Sequence, residues 1–132
     1  TDGIEIVTEL EERTFVNART NEVQQIFVNL VKNAAEALSE QRSSGREGHI
    51  VVRAGVGEGK VWAEVSDNGP GIPESNLAMV FDPFYTTKQP GKGTGLGLNI
   101  VYRIVTKYRG TITAESVEGH GTTFHLSFPV ER

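Results

Sequence analysis

The sequence contains no cysteine, which excludes a disulfide framework, a thiolate zinc site and a cysteine nucleophile. Long apolar runs are also missing. Nothing approaches the roughly 18 to 20 residues of a membrane-spanning helix, and the acidic opening Thr1-Asp2-Gly3-Ile4-Glu5 is the reverse of a basic signal peptide. Positive charge is scarce: 13 Lys and Arg stand against 17 Asp and Glu, a formal net charge of −4. A duplex-binding surface neutralises many phosphates with cations, so nucleic acid is not an expected partner. A small anionic ligand stays open, because a few backbone N–H groups and one or two cations hold it. With 37% hydrophobic and 23% charged residues over 132 positions, a single domain spanning 1–132 is expected, soluble and cytoplasmic. Because it opens on Thr1 and not Met, the chain is expected to be a piece of a longer protein.

Hydrophobic periodicity supplies the elements. Between Asn21 and Gln41, Val23, Ile26, Phe27, Leu30, Val31, Ala34, Ala35 and Leu38 recur at helical spacing and predict an amphipathic helix. Ahead of it, Ile4 to Leu10 and Phe15 to Asn17 are β-rich and suggest a strand or a short hairpin. His49 to Ala54 and Val61 to Val65 predict a second hairpin, joined by Gly55 to Lys60. The stretch Asp67 to Thr94, with Pro70, Pro73, Pro83 and Pro90, reads as a long functional loop around one short helical candidate, Pro73 to Met79. A second long helix carries Leu96, Ile100, Val101, Ile104, Val105 and Tyr108 on one face, with Gly110 placed to stop it. Strands at Thr111 to Val117 and Thr122 to Phe128 complete the chain. The expected architecture is a two-layer α/β sandwich, a mixed sheet with helices on one face.

Three groups of polar or small residues could carry chemistry. Asn29 and Asn33 lie four apart on the first helix, hence on one stripe at the edge of its apolar face. Solvent-facing side chains would explain them, but Asn is a poor helix former, and its amide oxygen suits Mg²⁺. Asp67-Asn68-Gly69-Pro70-Gly71-Ile72-Pro73 follows a predicted strand and is either a tight turn or a site where Asp67 accepts a hydrogen bond from the amine of a planar base. Gly91-Lys92-Gly93-Thr94-Gly95-Leu96-Gly97-Leu98 leads into the second helix. Glycines there weaken the helix start, and close approach of a phosphate to free N–H groups explains them better than a flexible linker does, with Lys88 and Lys92 nearby. The spacing fits neither the P-loop nor the Rossmann fingerprint, and His49, His120 and His125 lack metal-ligand spacing.

Taken in order, these segments resemble the catalytic and ATP-binding domain of sensor histidine kinases, in the superfamily shared with gyrase, heat-shock chaperones and mismatch-repair ATPases. Gln25 to Ala37 resembles the N box, Asp67 to Gly71 the first glycine box, Phe81 to Lys88 the F box, Gly93 to Leu98 the second glycine box and Gly119 to Phe124 the third. The spellings Asn-Ala-Ala-Glu-Ala and Pro-Phe-Tyr-Thr-Thr-Lys are most similar to the nitrogen-regulation and oxygen-sensor type. The resemblance implies the Bergerat ATP-binding fold and MgATP as ligand. It implies Asn33 as the Mg²⁺ ligand with Asn29 assisting, and Asp67 on the adenine amine with Thr122 supporting it through a water. The amides around Gly93, Gly95, Leu96 and Gly97 would wrap the phosphates, and Gly69, Gly71, Ile72, Lys92, Thr94 and Leu98 would also contact the nucleotide. Phe81 to Lys92 would form a lid, with Lys88 on the γ-phosphate. Glu36 departs from the pattern, standing where many relatives carry a phosphate-contacting Lys.

The superfamily's hydrolases resemble one another in a Glu four residues before the magnesium Asn; here that place is Asn29, whose amide cannot act as a general base. The implied activity is therefore phosphoryl transfer to another nucleophile, a histidine on a separate dimerisation domain, with a response regulator downstream. No His stands in the helical context of the family's phosphorylation site, so the expected form is a monomeric catalytic domain that does not phosphorylate itself. A slow ATPase of the gyrase type, a non-catalytic nucleotide-sensing module and a serine kinase sharing the fold are the alternatives.

Overall fold

A computed structural model describes residues 4–10, 20–40, 47–82 and 97–129. They form β1 (Ile4–Leu10), α1 (Thr20–Glu40), β2 (Gly48–Gly57), β3 (Lys60–Asp67), α2 (Gly97–Lys107), β4 (Thr111–Val117) and β5 (Gly121–Pro129). The strands make one sheet in the order β1-β2-β3-β5-β4. β1 and β2 are parallel and every other pair is antiparallel, which is the mixed sheet expected. Both helices pack on one face of it, against each other and over β2, β3 and β4.

The helices run antiparallel, because Asn29 on α1 meets the start of α2 while Glu22, near the start of α1, meets its end. There the Tyr108 hydroxyl and the Lys107 ammonium both donate to Glu22, the ammonium at 3.1 Å. Ile26, Leu30, Ala34 and Leu38 form the buried stripe of α1, and Val101 and Val105 that of α2. Alternate residues of the strands meet them in rows across the sheet. Val52, Val65, Phe124 and Ala114 make one row, and Ala54, Ala63, Leu126 and Ile112 the next. Burying these apolar faces is the main force holding helices to sheet, at about 25 cal/mol per Å² removed from water.

Four of the expected elements take a more specific form than the sequence alone defines. Ile4 to Leu10 is a strand, one of the two readings left open, and pairs in parallel with β2; Phe15 to Asn17, the second arm of the hairpin alternative, lies outside the described residues. The β2–β3 hairpin is tighter than its composition suggests: pairing continues through Gly55↔Trp62 to Gly57↔Lys60, leaving only Glu58 and Gly59 in the turn. Both have positive φ, 54° and 75°, the two-residue geometry whose twist matches that of the strands. The helical candidate near Pro73 is a 3-10 helix, Glu74–Met79, with no buried residue to hold an α-helix in place.

The fourth concerns the end of α2. Gly110 N donates to Val105 O at 2.9 Å and Arg109 N to Thr106 O at 3.1 Å, the two bonds of a Schellman cap. The left-handed residue in that cap is Arg109, at φ 63°, and not Gly110. Gly110 is required for space: a Cβ there would lie 2.5 Å from Ser127 O and 2.9 Å from the Phe128 ring. Opposite outcomes are expected in thermal unfolding. Arg109→Gly relieves the left-handed strain and gains up to about 1 kcal/mol, whereas Gly110→Ala drives a methyl into β5 and loses about 1 kcal/mol or more.

Candidate functional site

One row of the sheet breaks the apolar pattern. Two residues beyond Val65, Phe124 and Ala114 stand Asp67, Thr122 and Ser116, in register on β3, β5 and β4 and on the same helix-covered face. Thr122 is only 6% exposed, the one buried polar residue among those described. Asp67 Oδ1 accepts the Gly69 N–H at 2.8 Å, and the Thr122 N–H also donates to the carboxylate. Burial pushes the Asp67 carboxyl above its ordinary value, and these two amide bonds offset part of that rise. An acceptor is thus held in place on the inner face of the sheet, at the end of β3.

The loop after Asp67 is tied down on both sides. Asn68 joins it to β2, accepting the His49 N–H at 2.7 Å and donating to Glu47 O at 2.9 Å. Ser116 accepts the Ile72 N–H at 2.6 Å, and Gly119 N donates to Pro70 O at 2.8 Å, joining the loop to the β4–β5 turn. Gly71 sits at φ +78° with Val117 O only 2.5 Å from where a Cβ would be, so no other residue fits there without displacement.

α1 links this loop to α2. Asn29 Nδ2 donates to Gly97 O over 3.4 Å. Eight residues later, Ala37 Cβ lies 3.4 Å from the position a Cβ on Gly69 would take. Asn33 stands midway, one turn from each, on the same stripe. Half-buried, it has the start of α2 on one side and the Asp67 loop on the other, across about 12 Å of helix. At Gly97 nothing among the described residues lies within 4 Å of where a Cβ would project, so packing against them does not account for this glycine. Leu98, half-buried, packs against the core.

The structure thus places Asn29, Asn33, Asp67, Gly69, Gly97, Leu98 and Thr122 on the helix-covered side of the sheet, along α1 from Asn29 to Ala37, with Gly71 and Ile72 joined to them by the Asp67 loop and anchored on Val117 and Ser116. Lys88, Lys92, Gly93, Thr94, Gly95 and Leu96 lie outside the described residues, as does most of the predicted lid. Its first residue is held: Phe81 stacks on Tyr102 with ring centres 5.7 Å apart, and its carbonyl accepts Asn99 Nδ2 at 2.9 Å. Ser116, Asn68 and Asn99 were not singled out from sequence. Asn68 was legible only as a turn residue, and nothing local marks Ser116 or Asn99.

Residues 18–132 match the family described as histidine kinase-, DNA gyrase B-, and HSP90-like ATPase. Among curated proteins, sporulation kinase E of Bacillus subtilis strain 168 is 38% identical over 112 residues, covering 85% of this chain but 14% of that protein. Sporulation kinase A of the same organism is 37% identical over 129 residues, covering 97% of this chain and 20% of that protein. This chain therefore spans a fifth or less of the length of either. Among solved structures, the catalytic domain of histidine kinase ThkA superposes with a TM-score of 0.79 at 34% identity, over 97% of this chain and 80% of that one. Full-length ShkA in complex with AMPPNP superposes with a TM-score of 0.82 at 27% identity, over 98% of this chain and 26% of that one. The chain belongs to the histidine kinase-, DNA gyrase B- and HSP90-like ATPase family, and is a catalytic ATPase domain of the histidine kinase kind.

Proposed function

We propose that this chain binds MgATP between α1, the Asp67 loop and the start of α2, and donates the γ-phosphoryl group to a histidine on a separate dimerisation domain in two-component signalling. The observation that carries the reading is the placement of Asn33 between Gly97 and Gly69, which sets an oxygen donor between a helix start and a fixed carboxylate. ShkA, similar over 98% of this chain, holds an ATP analogue, which supports the nucleotide. In this reading Asp67 accepts from the adenine amine and Thr122 supports it, with Gly69, Gly71 and Ile72 beside the base. The N–H groups at the start of α2, together with Lys92, Gly93, Thr94, Gly95 and Leu96, receive the phosphates, and Lys88 faces the γ-phosphate.

The donor set suits Mg²⁺, a hard ion that takes one or two protein oxygens and leaves the rest of its shell to phosphate and water. Bound there, it would neutralise charge on the phosphate oxygens. Asn33 would hold it. Asn29 supports transfer over hydrolysis in two ways. Its amide accepts no proton from water, and it is engaged as a donor to Gly97 O, a bond that a carboxylate in its place could not make.

The acceptor would lie on another domain. All three histidines are off the helices: His49 on β2, His120 in the β4–β5 turn, and His125 on β5 between Glu64 and Glu115, 2.8 Å from each. The spellings of the N and F boxes favour the nitrogen-regulation and oxygen-sensor type, a response regulator as the eventual recipient and a cytoplasmic, monomeric domain. No helix among the described residues is long and apolar enough to cross a membrane.

The test is to mix the chain with labelled ATP and candidate dimerisation domains and to score acid-labile, base-stable phosphate. Transfer to one of them is the expected result. Steady phosphate release by the chain alone would instead identify an ATPase, and ATP affinity without transfer to any candidate a sensing module.

A further inference from the structure

Resting on the reading of the site as an ATP site, we propose that Ser116 determines purine specificity. By fixing the direction in which the Thr122 hydroxyl donates, it leaves the floor of the site with acceptors only. Ser116 Oγ has three neighbours: Ile72 N at 2.6 Å, Gly121 O at 2.9 Å and Thr122 Oγ1 at 2.9 Å. A hydroxyl offers one hydrogen and two lone pairs. The Ile72 N–H can only donate, so it occupies one lone pair. The Gly121 carbonyl can only accept, so it takes the hydrogen.

The contact with Thr122 is left with the second lone pair, and Thr122 is the donor in it. Its single hydrogen is thereby spent inside the protein, and what it offers to anything else is lone pairs. Asp67, opposite Thr122 in the register, is likewise an acceptor, oriented by the Gly69 and Thr122 amides. A purine bearing a 6-amino group brings hydrogens to this row, directly or through a water. One bearing a 6-oxo group brings a lone pair against lone pairs, and buried polar groups left unpaired are what make such sites discriminate. Ser116 also holds the Ile72 N–H, so the loop beside the base and the floor beneath it share one anchor.

The experiment is a calorimetric titration of ATP, inosine triphosphate and inorganic triphosphate into the wild-type chain, Ser116→Ala, Ser116→Cys and Ser116→Thr, each checked for native fold by its near-ultraviolet dichroism. The wild type is expected to prefer ATP. In Ser116→Ala the Thr122 hydrogen is free to turn toward a 6-oxo group, and the ATP-to-inosine preference should fall about tenfold, with inorganic triphosphate unchanged. Ser116→Cys, close in size but a weak hydrogen-bonding partner, should shift the preference the same way, and Ser116→Thr should restore it. A folded Ala or Cys variant that keeps the wild-type preference, or loses both nucleotides equally, overturns the proposal. A wild-type chain that binds ATP no better than inorganic triphosphate removes the adenine site, and this inference with it.

Discussion

Asp67→Asn is expected to weaken ATP by about 10- to 100-fold while leaving inorganic triphosphate unaffected, and the free chain should unfold no earlier than the wild type. The first part follows from the hydrogen bond between adenine and an ionised acceptor, worth about 1.5 to 3 kcal/mol. The second follows from where the carboxylate sits. Burial raises the Asp67 carboxyl above 3.8, so the folded state holds its proton more tightly than the unfolded state does. A group raised in this way contributes its full stability below the unfolded value and loses it as pH climbs through the folded one. At neutral pH the ionised carboxylate is therefore held in the fold against its own desolvation, and an uncharged amide removes that burden.

The same displacement predicts a pH profile. Preference for ATP over inorganic triphosphate should decline on acidification through the Asp67 value, which lies above 3.8, and should be flat across that window in Asp67→Asn. Calorimetric titration with both ligands, paired with thermal unfolding of the free chains, measures all three effects. Equal losses for the two ligands would reduce Asp67 to a turn residue and leave the base without its recognition group.

What could be read from the sequence, and what could not, divides by the range of the interactions involved. The stripe Ile26, Leu30, Ala34 and Leu38 and the neighbouring Asn29 and Asn33 follow from a 3.6-residue period that any window of the chain displays. Asp67 was legible because a carboxylate ahead of two nearby glycines is unusual within seven residues. Pairing was harder. β1 lies parallel to β2 across the whole of α1, and no short window shows a partner that remote. Gly110 closes α2 as its position predicts, but the left-handed residue of the cap is Arg109, and what Gly110 supplies is room for β5; that division of roles is set by Ser127 and Phe128, 17 and 18 residues further on. Ser116 is the extreme case. One serine in a strand of mixed polarity gains its importance only through register with Thr122 and contact with Ile72, 44 residues away.

Asn33→Ala is the second large expected effect, and it separates stability from function in the same chain. Asn is a poor residue for the middle of a helix and Ala the best, so on propensity alone α1 should gain several tenths of a kcal/mol and the free chain should melt slightly later. Phosphoryl transfer should nevertheless fall by about 10²-fold or more, the scale on which removing one charge-stabilising group costs a phosphate or oxyanion site. Asn33→Asp keeps an oxygen at the same place and should retain part of the transfer, whereas Ala retains none of the donor. A binding measurement isolates the cause. The increment in ATP affinity on adding Mg²⁺ should vanish in Asn33→Ala, while affinity in the presence of a chelator stays at the wild-type level. If the variant kept that increment, the oxygen donor would have to be sought elsewhere, and the position of Asn33 between Gly97 and Gly69 would be a matter of packing alone.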